Sequence, residues 1–348
     1  MYFPCPELKP GSQINSLKSA SKQAEMSKAK LQQLSPVQQR KAAAILGALV
    51  ADSATSPLHW IYDQEEVKRI TSTGTIAFVP EPHCPYYHIP TGTNSAYGAQ
   101  VFVTLREVAT NKGVFEAGRL ADALYKECGP GTIYEKVRQE SGQPKKGPWT
   151  NHNLKIFIAN REEGRKPEAD PTSQDPDGLC KAIVVIASLS GTASVLDKVG
   201  ECVGTTQSNE AATNYARSGG ALLDSIIQTG EIDFEAAKKA ASPNVLAALE
   251  EGLAAKGKPH QVAAKEFGLA CGFPASFKGM IQGIASATSF PQAVKDGILA
   301  GGDNCSRNTF IGACVAAKYG LESFPDEWLK KYDFTDQVID WICTVVKA

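Results

Sequence analysis

The segment from Ala300 to Gly320, AGGDNCSRNTFIGACVAAKYG, restricts the fold more than any other part of this 348-residue chain. Ile311, Val315 and Tyr319 repeat at every fourth position, which places them on one face of a helix. The paired glycines before this run permit backbone conformations that other residues resist. The segment therefore predicts a tight turn that leads into a buried helix.

The start of that predicted helix carries an unbroken run of polar or reactive side chains. A helix N-terminus presents free N–H groups and a partial positive charge, so it suits anion binding or chemistry. Asp303 or Asn304 could also cap the helix, and the alternative interpretation is a polar loop that does only this. The six consecutive side chains are Asp303, Asn304, Cys305, Ser306, Arg307 and Asn308.

Helical spacing recurs along the rest of the chain, while strand-like alternation is scarce. Ser35 to Gln38 resembles a capping box and predicts a helix that runs through the small-residue segment before Ser56 and contains Asp52. A long loop is expected at 71–98, and one C-terminal helix at 328–346. We predict an all-α, many-helix bundle with functional loops at one end. Residues 1–34 are expected to form a mobile tail, and residues 35–348 a single domain.

Composition excludes several classes of protein. The net charge is -1, so no basic field points to nucleic acid or to an anionic membrane. No apolar run approaches the roughly 18 residues of a membrane span. The nine cysteines form no CxxC pair, and the histidines form no HxxxH pattern. The chain start lacks the pattern of a secretory signal, which favours a cytoplasmic protein with reduced thiols.

Three stretches in order resemble the ADP-ribosylglycohydrolase superfamily. They are ILGALVADSATSPLHW at 45–60, GTNSAYGAQVFVTLRE at 92–107, and the Ala300–Gly320 segment. The Asn-Cys-Ser-Arg and Tyr-Gly-x-Gln versions of the motifs are similar to the branch that contains jellyfish J-type lens crystallins and selenoprotein J. The resemblance implies an orthogonal all-α bundle with a two-magnesium cleft. It also implies enzymes that cleave the bond between ADP-ribose and a modified side chain or other leaving group.

The metal ligands that the resemblance implies are mostly missing from this chain. Asp303 matches the first aspartate of the third motif, but Cys305 falls on the second, and no Asp or Glu occurs from Pro82 to Arg106. Asp52 and Asp303 supply at most two carboxylates, whereas Mg²⁺ takes about six oxygen ligands. We therefore expect no bound cofactor, with Asp52 and Asp303 as remnants of a metal site.

Three functions remain open at this stage. The first is a non-catalytic, soluble structural protein of the J-type lens-crystallin kind, although a net charge near zero does not favour solubility at high concentration and leaves self-association possible. The second is a divergent hydrolase for ADP-ribose-like ligands, with Asp303 as general base and Arg307 or Asn304 holding phosphate. The third is thiol chemistry at Cys305, whose pKa a helix N-terminus and a nearby arginine would lower.

The candidate ligand-binding side chains lie in two of the three stretches. Tyr97 could equally fill the vacated metal cavity, because replacing buried carboxylates with an aromatic and a thiol can stabilise a fold. The candidates are Asn304, Ser306, Arg307, Tyr97 and Gln100.

Overall fold

The computed structural model describes residues 29–332 and 336–348, and these residues form an all-α fold, as predicted. Two short 3-10 helices, Ser56–Leu58 and Leu321–Ser323, supplement the α-helices. In chain order the α-helices are α1 Pro36–Thr55, α2 Gln64–Thr71, α3 Ala96–Thr110, α4 Ala117–Cys128, α5 Ile133–Gln139, α6 His152–Glu162, α7 Asp177–Leu189, α8 Val195–Gly204, α9 Glu210–Thr229, α10 Glu235–Ala240, α11 Pro243–Ala254, α12 His260–Phe267, α13 Ala275–Ser286, α14 Phe290–Ala300, α15 Asn304–Tyr319, α16 Asp326–Lys331 and α17 Asp336–Lys347.

Helices α1 and α15 cross at the centre of the molecule. Both are buried around their whole circumference over most of their length, so neither is amphipathic. Their backbones meet at two glycines: a Cβ on Gly47 would lie 2.4 Å from the carbonyl oxygen of Gly312. The capping box predicted at the start of α1 is confirmed, since Ser35 accepts a hydrogen bond from the Gln38 backbone N–H and the Gln38 side chain accepts one in return from the Ser35 backbone N–H.

The ends of the chain differ from the sequence-based expectations. The single helix expected at 328–346 is wrong, because the structure has two helices there, α16 and α17. Residues 1–28, most of the expected mobile tail, lie outside the described residues. Leu31 and Leu34 pack into the core, so the packed part of the chain extends to the N-terminal side of the expected boundary. Tyr319 lies apart from the buried face predicted for α15, with 37% of its surface exposed.

The long loop between α2 and α3 folds over the C-terminal end of α1. Its backbone is held there by hydrogen bonds from Phe78 N to Ala54 O and from His83 N to Pro57 O. Two residues of this loop form strand β1, Tyr87–His88, which pairs in parallel with β2, Lys145–Lys146. Among the described residues, no helix is both long and apolar enough to cross a bilayer.

Candidate functional site

Asp303 is the centre of a buried hydrogen-bonded cluster at the start of α15. Its Oδ1 lies 2.8 Å from His59 Nε2 and accepts a 3.0 Å hydrogen bond from the indole N–H of Trp60. Its Oδ2 accepts a 3.3 Å bond from the Tyr97 hydroxyl and a second bond from the hydroxyl of Ser306. Asp303 occupies the N-cap position, but its carboxylate does not cap the helix. Its side chain is instead occupied with neighbours from three parts of the chain.

The two glycines before Asp303 make this placement possible. Both have positive φ, 70° at Gly301 and 63° at Gly302, which L-residues rarely adopt. A Cβ on Gly302 would lie 2.5 Å from the carbonyl oxygen of Leu269, and one on Gly301 would lie 2.7 Å from that of Ile61. Gly302 also exchanges backbone hydrogen bonds with Trp60 and Ile61. The turn predicted from the glycine pair thus places Asp303 against the segment His59–Ile61, which follows the first 3-10 helix.

Asp52 lies inside α1 and is fully buried beside this cluster. Its Oδ2 accepts hydrogen bonds from the Asn94 side chain at 2.9 Å and from the backbone N–H of Ser95 at 2.8 Å. Its Oδ1 accepts from the Ser95 hydroxyl and, at 3.3 Å, from Thr309. Burial raises the pKa of Asp52, while the bonds from Ser95 and Asn94 act in the opposite direction. A Cβ on Gly98 would lie 2.2 Å from Asp52 Oδ2, so α3 is packed directly against the carboxylate.

Cys305 is fully buried next to Asp52. Its Sγ lies 3.9 Å from the backbone oxygen of Asp52. Burial, with the nearby charges of Asp52 and Asp303, raises the pKa of the thiol well above its ordinary value. The lowered pKa expected from the sequence is therefore wrong, because loss of solvation and two carboxylates outweigh the helix N-terminus.

Arg307 and Asn304 donate their hydrogen bonds to backbone carbonyls. Arg307 is 1% exposed, and its guanidinium donates to Gly301 O and, at 3.5 Å, to Leu269 O. Arg307 is thus not a surface arginine, and it forms no ion pair with another described residue. Burial lowers its pKa. Asn304 donates to Leu58 O at 3.2 Å. Both side chains thereby hold the turn that carries Asp303.

Gln100 belongs to a second buried polar cluster that the sequence did not reveal. Gln100 Nε2 and Asn151 Nδ2 both donate to Oδ1 of Asp177, the first residue of α7. Burial and the neighbouring Asp175 raise the pKa of Asp177 to about 6. One turn further along α7, Lys181 is fully buried and donates to Thr206 Oγ1 at 2.8 Å. A signal for this cluster exists in the sequence, since Asp177 and Lys181 interrupt an otherwise apolar run.

Sequence reasoning also missed His59. Besides its contact with Asp303, its Nδ1 lies 2.8 Å from the hydroxyl of Tyr87. Its ring stacks on Trp60 at 4.2 Å, and Trp149 packs edge-on against Trp60 at 5.4 Å. The only available signal was the run of aromatic residues around it, which did not by itself indicate which of them would meet Asp303.

The fold agrees with comparisons to known proteins. The ADP-ribosylglycohydrolase family model matches residues 34–347. The chain therefore belongs to the ADP-ribosylglycohydrolase family.

Two relatives are crystallins of Tripedalia cystophora. Crystallin J1A is 29% identical over 307 residues, which cover 87% of this chain and 94% of that protein. Crystallin J1B is 27% identical over 320 residues, which cover 89% of this chain and 97% of that protein.

A solved structure described as an ADP-ribosylglycohydrolase-related protein complex has the same fold. It superposes with a TM-score of 0.62 at 16% identity, covering 90% of this chain and 99% of that one. At this identity the likeness concerns the fold alone.

Proposed function

We propose that this protein is a non-catalytic member of the ADP-ribosylglycohydrolase family that serves as a soluble structural protein, in the manner of a J-type crystallin. Its similarity over nearly its whole length to two proteins named as crystallins supports this role. We further propose a cytoplasmic location. The eight cysteines of the described residues are all free, which favours a reducing compartment.

The observation that carries the proposal is the state of the two remaining carboxylates. Asp52 and Asp303 each take part in four polar contacts with protein donors, and both carboxylates are fully buried. Each Mg²⁺ would need about six oxygen ligands in near-octahedral geometry. The part of the chain that the structure describes has no group of three or more His, Cys, Asp or Glu side chains arranged to hold a metal ion. These residues do not fit a two-magnesium site.

Calorimetric titration of the purified protein with MgCl₂ and then with ADP-ribose tests the proposal. We expect no saturable heat from Mg²⁺ up to millimolar concentrations, and no enhancement of ADP-ribose binding by the metal. Stoichiometric Mg²⁺ binding that Asp303→Asn abolishes and Asp233→Asn leaves intact would overturn it. Asp233 suits the control because it is an exposed aspartate outside the Asp303 cluster.

A second candidate function is metal-independent hydrolysis of ADP-ribosyl compounds at an altered site. The half-buried Asp175 favours it, because burial and the charge of Asp303 raise the pKa of this carboxyl, which is the direction that a general acid needs. Release of ADP-ribose from ADP-ribosyl-arginine, lost in Asp175→Asn, would establish this function and refute the non-catalytic one. We do not propose thiol chemistry at Cys305, since its sulfur is buried and its pKa is raised.

A further inference from the structure

A small basic cavity lies beside Trp149. Its volume is about 200 Å³, and it is lined by Val137, Arg138, Lys145, Pro148, Trp149, Thr150 and Lys155. Three of these seven side chains are cationic and none is acidic. The lining therefore combines a concentrated positive charge with an aromatic and an apolar wall.

The three cations lack carboxylate partners among the described residues. The ammonium of Lys145 donates to the backbone oxygen of Glu140, and Arg138 donates to Cys128 O at 2.6 Å and to Thr150 Oγ1 at 3.2 Å. Lys155 makes no ion pair with any residue that the structure describes, and its ammonium lies 4.7 Å from the centre of the Trp149 ring.

The charges in this cavity repel one another. Partial burial lowers the pKa of Lys155, and the charges of Arg138 and Lys145 lower it further. By contrast, many other lysines and arginines of the described residues contact a carboxylate, as Arg106 contacts Glu127 and Lys278 contacts Glu251. The repulsion would be relieved by an anion bound between the three cations.

The backbone holds this arrangement in place independently of the lysine side chains. The N–H of Lys145 donates to Tyr86 O at 2.8 Å, and the β1–β2 pair fixes the segment that carries it. Gly147 has a φ of 151°, and a Cβ there would lie 2.6 Å from Val137 Cγ2, so the loop presses closely against α5. Thr150 is buried, and its hydroxyl hydrogen has no acceptor among the described residues.

We propose that this cavity binds a small phosphate monoester, with its phosphate between Arg138, Lys145 and Lys155 and its organic group against Trp149 and Pro148. A guanidinium and two ammonium groups can donate hydrogen bonds to the oxygens of a dianionic phosphate group. The cavity is smaller than the roughly 300–1,000 Å³ of pockets for drug-sized ligands, so it suits a small ligand better than a whole dinucleotide. The site is separate from the Asp303 cluster, and it requires neither a metal nor a reaction.

Titration of the full chain with phenyl phosphate, followed by calorimetry and NMR, tests this site. We expect saturable one-to-one binding, weaker binding of inorganic phosphate and no binding of the neutral analogue phenol. The indole N–H resonance of Trp149, assigned with Trp149→Phe, should shift with the same saturation curve. The double variant Lys145→Gln/Lys155→Gln should bind phenyl phosphate at least tenfold more weakly.

A double variant with the same change in charge provides the control. Lys256→Gln/Lys265→Gln removes two exposed lysines that do not line the cavity, and its affinity should stay within twofold of the parent. Equal weakening in both double variants would overturn the proposal, since it would indicate attraction by net charge alone. Absence of saturation with the parent protein, or equal binding of phenol, would also overturn it. Melting temperatures of the variants establish that each one is folded.

Discussion

At the scale of single residues, the buried polar groups differ in how completely they are paired. Both oxygens of Asp303 and Asp52 accept hydrogen bonds, whereas Oδ2 of Asp177 and Oε1 of Gln100 are buried without a partner among the described residues. An unpaired buried carboxylate oxygen is costly, and the cost is greatest when the group is ionised. The negative charge of Asp177 therefore opposes folding.

Replacing Asp177 with asparagine should stabilise the protein at neutral pH. Its folded pKa of about 6 lies above the ordinary value of 3.8, so the folded state binds the proton more tightly and stability falls as pH rises between these two values. A shift of this size corresponds to about 2–3 kcal/mol at pH 7.5. We expect Asp177→Asn to raise the Tm by a few degrees at pH 7.5 and to have little effect near pH 4.

Circular dichroism melts at the two pH values measure this difference. Asp197→Asn is the control, because it makes the same chemical change at a side chain that is 81% exposed. A gain in Tm for Asp177→Asn that is the same at both pH values would contradict the role of ionisation.

Sequence-based prediction was least successful for the contacts of single residues. The glycine pair and the polar run correctly marked the turn at Asp303, because both signals are local. The partners of Asp303, in contrast, lie 244 positions away at His59 and 206 away at Tyr97. The burial of Cys305 next to Asp52 is likewise a product of long-range packing, so a local rule for helix N-termini gave the wrong direction for its pKa.

At the scale of elements, helix positions followed from periodicity, while the closest helix contact depended on two glycines. Gly47 on α1 and Gly312 on α15 let the two backbones approach until a Cβ on either would overlap the partner helix. The sequence showed a run of small residues in α1, which suited close packing, but it did not identify the partner. The break between α16 and α17 also escaped detection, because apolar spacing continues through both.

The Gly312→Ala substitution tests whether this close approach is required. Alanine gains about 1 kcal/mol of helix propensity over glycine. Its Cβ, however, would lie 2.4 Å from that of Ala51, and such overpacking costs about 1–3 kcal/mol or more. Urea unfolding should therefore show a net loss of stability.

Gly118 in α4 offers a matched control. It is exposed, and a Cβ there would meet nothing within 4 Å, so Gly118→Ala should stabilise by about 0.5–1 kcal/mol. If both alanines stabilised the protein alike, the contact between α1 and α15 would accommodate a Cβ at position 312. Gly312 would then have no packing role.

At the scale of the whole molecule, the cysteines of the described residues share one property, a raised thiol pKa. Burial raises the pKa of every cysteine thiol in the described residues. A sequence with nine scattered cysteines left open whether any of them was reactive. The helical packing answers this for six of them, which are at most 3% exposed: Cys84, Cys128, Cys180, Cys202, Cys305 and Cys314.

These six thiols should make the folded protein steeply sensitive to alkaline pH. Each stays protonated in the folded state but ionises above about pH 8.5 when unfolded, so its contribution to stability is complete below that pH and is lost as pH rises. Each thiol then costs about 1.4 kcal/mol per pH unit, and six together cost about 8 kcal/mol per pH unit. A free energy of unfolding of about 5–15 kcal/mol would therefore fall to zero within one or two pH units. We expect cooperative unfolding to begin near pH 9.5 to 10.

Urea unfolding at pH 7.5, 8.5 and 9.5 measures this slope directly. The midpoint should change little between the first two values and fall sharply by the third. Cys314→Ala should reduce the slope by about 1.4 kcal/mol per pH unit, because it removes one thiol from the class. At pH 8, a thiol reagent should modify these six cysteines only after urea is added. A reactive Cys305 in the folded protein, or a midpoint that is constant up to pH 9.5, would show that burial does not control these thiols, and would restore the case for thiol chemistry.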